Sequence, residues 1–261
     1  MTDMVAVLAQ RAMLEMDQRH ADVVMIGSQV AFGSVGISAA LPIMYGEGVR
    51  AVAVPTVVLS SMPRYAASHR QAMSDEWLRL ALDDLLDLGI IDEVSTVMTG
   101  YFASASQVEI VVAWLRRIRE SHPHIRIVVD PIMGDRDVGI YVPAEIAHAL
   151  IHELLPLATG IVPNAFEFAH ITGGADIVAS ARSLIGECGE WVIITSARES
   201  DTTTTLIITR DDVQEVSTAS VDTQVKGAGD VFAAVLVAAL HKKQTLFDAT
   251  TYAQTTVRGL L

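Results

Sequence analysis

The chain has 261 residues, of which 18 are lysine or arginine and 31 are aspartate or glutamate, so its formal net charge is −13. Hydrophobic residues make up 51% and charged residues 19%, which excludes an intrinsically disordered chain. The acidic balance argues against a nucleic-acid-binding protein, which needs a basic surface to neutralise phosphates. The single cysteine, Cys188, excludes an internal disulfide bond.

Two stretches of the sequence bear on targeting and on membrane association. Residues 1–20 carry several charged side chains and no continuous apolar core, so no secretory signal is predicted there. The apolar run at 231–240 has about half the length that a membrane-spanning helix needs. We therefore expect a cytoplasmic protein that does not bind a membrane.

Hydrophobic segments with the period of a strand alternate along the chain with segments that have the period of a helix. In chain order, we predict a strand at 22–27, a helix at 33–45, an extended segment at 50–59 that Pro55 bends, a helix at 75–88, a strand at 94–98, a helix at 108–118, a strand at 125–130, a helix at 144–155, a strand near 161, helices from 164 and at 179–188, a strand at 191–195, a hairpin of 206–209 with 213–217, and helices at 231–240 and 246–261.

This alternation predicts an α/β fold with a mostly parallel central sheet that helices cover on both faces. The sequence has no linker, repeat or low-complexity tract, so we expect a single domain over 1–261, with residues 1–20 as an N-terminal extension. Parallel sheets of this kind bind ligands at the carboxyl ends of their strands. Polar residues that directly follow a predicted strand are therefore the candidates for a functional site.

The sequence KGAGD at 226–230 directly precedes an apolar helix. Its two glycines, Gly227 and Gly229, allow the backbone to turn tightly and to approach a ligand closely. The free N–H groups of the helix start and the positive end of the helix dipole predict an anion site there. Asp230 stands at the same helix start, where its carboxylate either accepts the proton of an attacking alcohol or caps the helix.

Two further motifs place oxygen ligands directly after strands. DPIMGD at 130–135 contributes Asp130 and Asp135, and PNAFE at 163–167 contributes Asn164 and Glu167. Such oxygen ligands suit Mg²⁺, although Asn164 and Glu167 would also form an ordinary helix-capping pair. Together with the KGAGD loop, the two motifs predict a site for phosphoryl transfer.

A longer series of motifs follows one order along the chain: GSQVAFGSVG at 27–36, AVPTVVLS at 53–60, TGY at 99–101, DPIMGDRDVGIYV at 130–142, LPLATGIVPNAFE at 155–167, ITG at 171–173, WVIITSA at 191–197 and KGAGD at 226–230. This series resembles that of the pyridoxal (pyridoxine, pyridoxamine) kinases of the ribokinase superfamily. The resemblance implies a ribokinase-like three-layer α/β/α sandwich. It also implies ATP-dependent phosphorylation of the 5′-hydroxymethyl group of a B6 vitamer, with Mg²⁺, in a homodimer, and it leaves a monovalent-cation requirement open.

The resemblance assigns roles to the residues that carry it. Ser28 corresponds to the serine that hydrogen-bonds the pyridine ring of the vitamin. Asp230 corresponds to the base that activates the 5′-hydroxymethyl group, and it also belongs to the substrate site. Gly227, Ala228 and Gly229 correspond to the anion hole over the transferring phosphate.

The remaining positions fall into three groups that the resemblance defines. The substrate positions are Val57, Arg64 and Tyr101. The metal positions are Asp135, Tyr141 and Glu167. The nucleotide positions are Asp130, Val162, Asn164, Thr195, Ser196, Ser217, Ser220, Val225 and Lys226, together with Gly227 and Gly229.

Several positions depart from the pattern of the family. Arg64 stands where the most similar members are expected to have a histidine, and Val162 replaces a threonine. Ile37 replaces an asparagine, and Ala228 replaces a threonine whose backbone N–H is the functional group. These departures bear on the choice of substrate more than on the chemistry.

Two other functions stay open at the level of the sequence. One is a hydroxymethylpyrimidine kinase of thiamin biosynthesis, whose substrate presents a similar hydroxymethyl group on a similar ring. The other is a non-catalytic protein that binds pyridoxal phosphate or a nucleotide. The presence of Asp230 argues against the second, because a binding protein needs no base.

Overall fold

The computed structural model describes residues 20–63, 65–174, 176–221 and 225–260, and the predicted N-terminal extension lies outside them apart from His20. The strands of the described residues form a nine-stranded sheet and a separate two-stranded hairpin. The strands are β1 (Val23–Phe32), β2 (Ala51–Ser61), β3 (Arg70–Ala72), β4 (Thr96–Thr99), β5 (Arg126–Val129), β6 (Gly134–Asp135), β7 (Gly139–Ile140), β8 (Gly160–Ile161), β9 (Trp191–Glu199), β10 (Thr202–Thr209) and β11 (Val213–Ala219).

The strand order in the large sheet is β11-β10-β9-β8-β5-β4-β1-β2-β3. The six strands from β9 to β2 in this order are parallel, whereas β3 runs antiparallel to β2 at one edge. At the other edge, β10 is antiparallel to both β9 and β11, which confirms the predicted hairpin. β6 and β7 form the separate antiparallel hairpin.

Helices cover both faces of the sheet. They are α1 (Ile37–Gly46), α2 (Asp75–Asp87), α3 (Ala105–Ser121), α4 (Ala144–Ala149), α5 (Ala165–Thr172), α6 (Ile177–Leu184), α7 (Ala228–His241) and α8 (Leu246–Leu260). One buried core joins the sheet to α2–α6, and a second core joins it to α1, α7 and α8. Alternate residues of β1 belong to different cores, because successive side chains of a strand point to opposite faces of the sheet. Val24 and Ile26 belong to the first core, and Val23 and Met25 belong to the second.

The two cores confirm the three-layer α/β/α sandwich with a mostly parallel central sheet. Among the described residues, no helix is both long and apolar enough to cross a lipid bilayer. The predicted elements are nearly all present, and the differences concern their ends and the shortest pieces.

Three differences from the predicted elements bear on the site. β1 continues to Phe32, so the helix predicted at 33–45 begins only at Ile37. The helix predicted at 144–155 changes after Ala149 into a π turn and then a 3₁₀ turn. β3 and the β6–β7 hairpin were not predicted, because strands of two or three residues show no measurable period in the sequence.

Pro55 bends β2 by means of a bulge. Proline lacks the N–H group that an internal strand needs for its ladder of hydrogen bonds. The register with β1 shifts at this point, so that Ser28 pairs with Val57 and Thr56 is the extra residue. The Thr56 hydroxyl donates to the carbonyl oxygen of Tyr101 at 2.7 Å. The bulge thereby fixes the loop after β4 against the middle of β2.

Gly160 in β8 packs directly on the indole ring of Trp191, and a Cβ at this position would overlap the ring. We expect Gly160→Ala to lower the free energy of unfolding by about 1–3 kcal/mol, because the ring and the strand are both buried and cannot retreat. Gly46→Ala is the matched control, since a Cβ there would meet nothing within 4 Å. Urea denaturation measures both variants, and equal stabilities would contradict the packing argument.

Candidate active site at the carboxyl ends of the parallel strands

A cavity of about 610 Å³ opens at the carboxyl ends of the parallel strands. Its walls come from the ends of β1 and β2, the loops after β4, β5 and β8, the middle of β9, and the start of α7. The sequence predicted a ligand site at these carboxyl ends of the strands, and the cavity lies there. The predicted site residues that line the cavity are Ser28, Val57, Tyr101, Asp130, Asp135, Tyr141, Val162, Asn164, Glu167, Thr195, Lys226, Gly227, Gly229 and Asp230.

The KGAGD loop forms the start of α7, and Gly227 is its N-cap with a φ of +94°. A Cβ at Gly227 would overlap the carbonyl oxygen of Ser34, so only glycine fits both the backbone conformation and the close approach to the loop after β1. The first N–H groups of a helix have no partner within the helix. Because Gly229 lines the cavity, this helix start offers an anion site to a ligand.

Asp230 lies in the first turn of α7 and lines the same cavity. Burial raises the pKa of Asp230 to about 6, although the N–H group of Gly36 donates to its carboxylate and opposes the rise. Gly36 has a φ of +56°, and a Cβ there would overlap the carbonyl oxygen and the hydroxyl of Ser28. Gly36 therefore holds Asp230 close to Ser28. Among the described residues, the Ser28 hydroxyl has no hydrogen-bond partner and is available to a ligand.

A cluster of buried carboxyl groups lies beside Asp230. Burial is the main reason that the pKa of Asp130 lies well above its ordinary value, and the charges of Glu167 and Asp230 add to it. Burial also raises the pKa of Glu167 to about 7. Three backbone N–H groups donate to the Glu167 carboxylate and limit this rise, those of Asn164 at 2.9 Å, Met133 at 3.0 Å and Gly134 at 3.4 Å.

The carboxyl cluster has the chemistry of a Mg²⁺ site that a phosphate completes. In the part of the chain that the structure describes, no group of three or more His, Cys, Asp or Glu side chains is arranged to hold a metal. Mg²⁺ usually binds few carboxylates and keeps water or substrate phosphate as further ligands. Burial is the main cause of the raised pKa values of Asp130 and Glu167, and neighbouring carboxylates add to it, those of Glu167 and Asp230 for Asp130 and that of Asp135 for Glu167. A divalent cation would relieve this repulsion. The residues present therefore fit the ion.

Tyr141 closes this end of the cavity from the loop after β7. Burial is the main cause that raises the pKa of its phenol, followed by the charges of Glu167, Asp130 and Asp230. The phenol is therefore neutral and able to donate a hydrogen bond at neutral pH.

Lys226 joins the KGAGD loop to the β6–β7 hairpin. Its Nζ lies 2.5 Å from Oδ2 of Asp135 and 3.2 Å from Oδ2 of Asp137. Burial alone would raise the pKa of Asp135, but the Lys226 ammonium outweighs it and lowers the pKa. Burial alone would lower the pKa of Lys226, but the carboxylates of Asp135 and Asp137 outweigh it and raise the pKa. Asp135, predicted to bind the metal, and Lys226, predicted to bind the nucleotide, thus bind each other in this structure.

Asn164 and Glu167 form the capping pair that the sequence offered as the alternative. The Asn164 side chain accepts the N–H of Glu167 at 2.8 Å and donates to the carbonyl oxygen of Gly134 at 3.0 Å. The capping box therefore starts α5 and also fixes the β6–β7 hairpin. Because Asn164 still lines the cavity, the structural role and a nucleotide contact are compatible.

Comparisons with known proteins decide the family. A family model described as phosphomethylpyrimidine kinase matches residues 31–261. The pyridoxine/pyridoxal/pyridoxamine kinase of Bordetella bronchiseptica is 39% identical over 237 residues, which are 87% of this chain and 84% of that protein. The chain belongs to the pyridoxal kinase family.

Solved structures of pyridoxal kinases share the fold. The pyridoxal kinase of Leishmania donovani in complex with ADP is 26% identical, with a TM-score of 0.83 over 92% of this chain and 85% of that chain. The pyridoxal kinase of Entamoeba histolytica has a TM-score of 0.86 at 22% identity, over 92% of this chain and 88% of that chain.

Some site residues that the family resemblance suggested do not line the cavity. Ala228 and Ser196 lie next to residues that do, and Ser196 has an unusual φ of +50°. Ser217 and Ser220 lie at β11, where their hydroxyl groups contact Thr204 at 2.7 Å and Thr203 at 3.3 Å. Val225 is exposed outside the cavity, and Arg64 lies outside the described residues. Their assigned roles stay predictions.

Sequence reasoning on this pyridoxal kinase family member missed several cavity residues. The sequence assigned Gly36 no role beyond its place in a motif, although Gly36 positions Asp230 and Ser28. The feature that could have indicated this role is its place as the last glycine of GSQVAFGSVG, at the turn into α1. Arg70 was missed altogether because β3 was not predicted. The other cavity residues that were not assigned include Leu59, Met62, Ser68, Ile132 and Val138.

Proposed function

We propose that this protein transfers the γ-phosphoryl group of ATP to the 5′-hydroxymethyl group of pyridoxal, pyridoxine or pyridoxamine. The junction of Ser28, Gly36 and Asp230 carries the proposal, because a buried carboxyl group lies there beside a hydroxyl group and beside the start of α7. We assign these three groups the roles of base, ring-binding group and anion site. The named activity of the Bordetella bronchiseptica relative and the ADP complex of the Leishmania donovani relative support it. The product from pyridoxal is pyridoxal 5′-phosphate.

The chain's own residues perform three tasks in this reaction. The Ser28 hydroxyl binds the ring nitrogen and fixes the orientation of the vitamer. The Asp230 carboxylate accepts the hydroxyl proton as the alcohol oxygen forms its bond to the γ-phosphorus and the bond to ADP breaks. The N–H groups of Gly227, Ala228 and Gly229 bind the oxygens of the transferring group, and most of the rate gain comes from this positioning and charge stabilisation.

Binding of the nucleotide changes the pairing of Lys226. Its ammonium exchanges Asp135 and Asp137 for phosphate oxygens, which frees Asp135 to join Glu167 as a metal position. Mg²⁺, when bound, neutralises the phosphate charge of ATP. Asp130, Val162, Asn164 and Thr195 line the adjacent wall on the nucleotide side. The homodimer, which the family resemblance implies, and the cytoplasmic location, which the sequence without a targeting segment favours, stay predictions. The requirement for a monovalent cation stays open.

The pKa of Asp230 predicts the acid limb of the pH profile. The base works only when it is deprotonated, so we expect kcat/KM for the vitamer to fall as the pH drops through about 6, tenfold for each further pH unit. Above pH 7 the carboxylate of Asp230 is charged, so its titration causes no further change in kcat/KM. Initial rates at low vitamer concentration from pH 5 to 8 measure the profile, and an acid limb centred near pH 4 would contradict the raised pKa.

Kinase assays with each vitamer test the function. MgATP is incubated with pyridoxal, pyridoxine, pyridoxamine or hydroxymethylpyrimidine, and ADP is measured. The description of the family model favours hydroxymethylpyrimidine as the second candidate substrate. A specificity constant more than tenfold higher for that compound would replace the proposal. Tight binding of pyridoxal without ADP formation would instead indicate a carrier protein.

A further inference from the structure

Arg70 is a cationic residue in the cavity wall to which no function has been assigned. Within the described residues, Arg70 and Lys226 are the cationic side chains that line the cavity. Lys226 is paired with two carboxylates, whereas the Arg70 side chain makes no ion pair or hydrogen bond in the same part of the chain. An unpaired guanidinium at a cavity wall is suited to an anionic group of a ligand.

The register of the sheet shows that Arg70 faces the cavity. Ser28 of β1 pairs with Val57 of β2, and Leu59, two residues further along β2, pairs with Arg70 of β3. Directly opposed residues of antiparallel strands share a face of the sheet. Because Val57 and Leu59 both line the cavity, Arg70 is on the same face, in a row about 7 Å beyond the Ser28 row.

The cavity is electrically polarised along the strand order. β5, which ends at Asp130, lies two strands from β1 on one side, and β3 lies two strands from β1 on the other. Asp130 and Glu167 therefore lie toward one end of the cavity, Asp230 lies between the ends beside Ser28, and Arg70 stands at the opposite end.

The chemistry of the vitamer matches this polarity. In the pyridine ring, the nitrogen and the carbon that carries the hydroxymethyl group flank a single carbon, and the 3-oxygen is attached to the carbon directly opposite. Gly36 holds Ser28 and Asp230 together, so both contact the same edge of the ring. The 3-oxygen then points to the far wall. The ring nitrogen holds the proton that this hydroxyl loses, so near neutral pH the ring is a zwitterion with negative charge on the oxygen.

We infer that Arg70 is a specificity-determining residue that binds the anionic 3-oxygen of the vitamer, an inference that rests on the proposed function of the site. Hydroxymethylpyrimidine has a neutral nitrogen at the same ring position and offers no charge to the guanidinium. Arg70 therefore favours B6 vitamers over the pyrimidine, and it acts on binding rather than on the phosphoryl-transfer step.

Two ring compounds that differ only in the hydroxyl group test this role. They are 5-(hydroxymethyl)pyridin-3-ol and pyridin-3-ylmethanol, and both carry the acceptor group at the same distance from the ring nitrogen. We expect Arg70→Gln to raise the KM of the hydroxylated compound by at least about fivefold and to leave kcat nearly unchanged. The KM of pyridin-3-ylmethanol should change less than about twofold, because it lacks the anionic oxygen.

The controls separate charge, strand structure and function. Gln71→Ala alters the same short strand at the residue that does not line the cavity, and it should leave both KM values unchanged. Arg70→Lys should recover part of the lost affinity. An equal change for the two compounds, or none, would overturn the inference, and thermal melting of each variant verifies that it is folded. If the wild-type protein forms no ADP, the proposed function fails, and calorimetric Kd values for the same two compounds still decide the role of Arg70.

Discussion

Asp230→Asn should lower kcat by on the order of a hundredfold or more and leave the KM values for vitamer and ATP within about threefold of the wild type. The asparagine keeps the shape of the side chain and its contact with the Gly36 N–H, but it cannot accept the proton of the alcohol. Loss of kcat with unchanged KM is the signature of an interaction that acts in the transition state.

Steady-state kinetics with pyridoxal and MgATP measure this effect. Asp248→Asn is the matched control, because Asp248 lies in the first turn of the neighbouring helix α8 and is exposed. It removes the same charge from an equivalent helix position, so a shared loss would point to a general electrostatic effect. Turnover of Asp230→Asn within threefold of the wild type would remove Asp230 from the role of base.

Alanine substitutions at the two glycines of the KGAGD loop should affect the melting temperature differently. Gly227→Ala should lower both turnover, by about a hundredfold, and the melting temperature, because a Cβ overlaps the Ser34 carbonyl oxygen and the φ of +94° is unfavourable. Gly229→Ala meets no protein atom within 4 Å and lies within α7, where alanine favours the helix by up to about 1 kcal/mol. We expect the second variant to melt no earlier than the wild type.

The activity of Gly229→Ala tests the anion site directly. Gly229 lines the cavity, so its methyl group occupies space next to the transferring phosphate. The KM for ATP should rise and kcat should fall, together by about tenfold in kcat/KM or more. Thermal melting combined with ATP titration separates the two variants. Wild-type kinetics for Gly229→Ala, or an unchanged melting temperature for Gly227→Ala, would contradict the geometry of the loop.

Some of the acidic side chains of the chain line the cavity. Asp130, Glu167 and Asp230 are close enough to raise the pKa of Asp130 well above its ordinary value, with burial as the larger cause. In the proposed reaction, a protein of net charge −13 binds ATP by means of local donors and Mg²⁺ that offset this field. Lys226 and the helix start at Gly227 are the donors that the proposal assigns.

Local motifs made much of the site predictable. KGAGD, DPIMGD and PNAFE each combine a strand end or helix start with a functional side chain, and all three line the cavity. Tight turns that need glycine and helix caps depend on residues that are close in sequence, so both can be predicted from the sequence. The family order of motifs added the roles of Ser28 and Tyr101, both of which reach the cavity.

The residues that were missed depend on contacts distant in sequence. Arg70 belongs to a strand of three residues that exists only because it pairs with the end of β2. Gly36 received no role, because its contacts with Ser28 and Asp230 join three separate segments. Such short or composite features leave no period in the sequence from which they could be predicted.

By itself, the sequence determined the alternation of strands and helices and the parallel sheet, and it predicted a ligand site at the carboxyl ends of the strands, where the cavity opens. These features follow from hydrophobic period and local turn chemistry. Only the tertiary structure decided that Lys226 binds Asp135, 91 residues away, that the pKa of Asp230 is about 6, and that Arg70, which has no partner among the described residues, lines the same cavity as the carboxylates. Those properties depend on burial and on distances through space, which the order of residues does not specify.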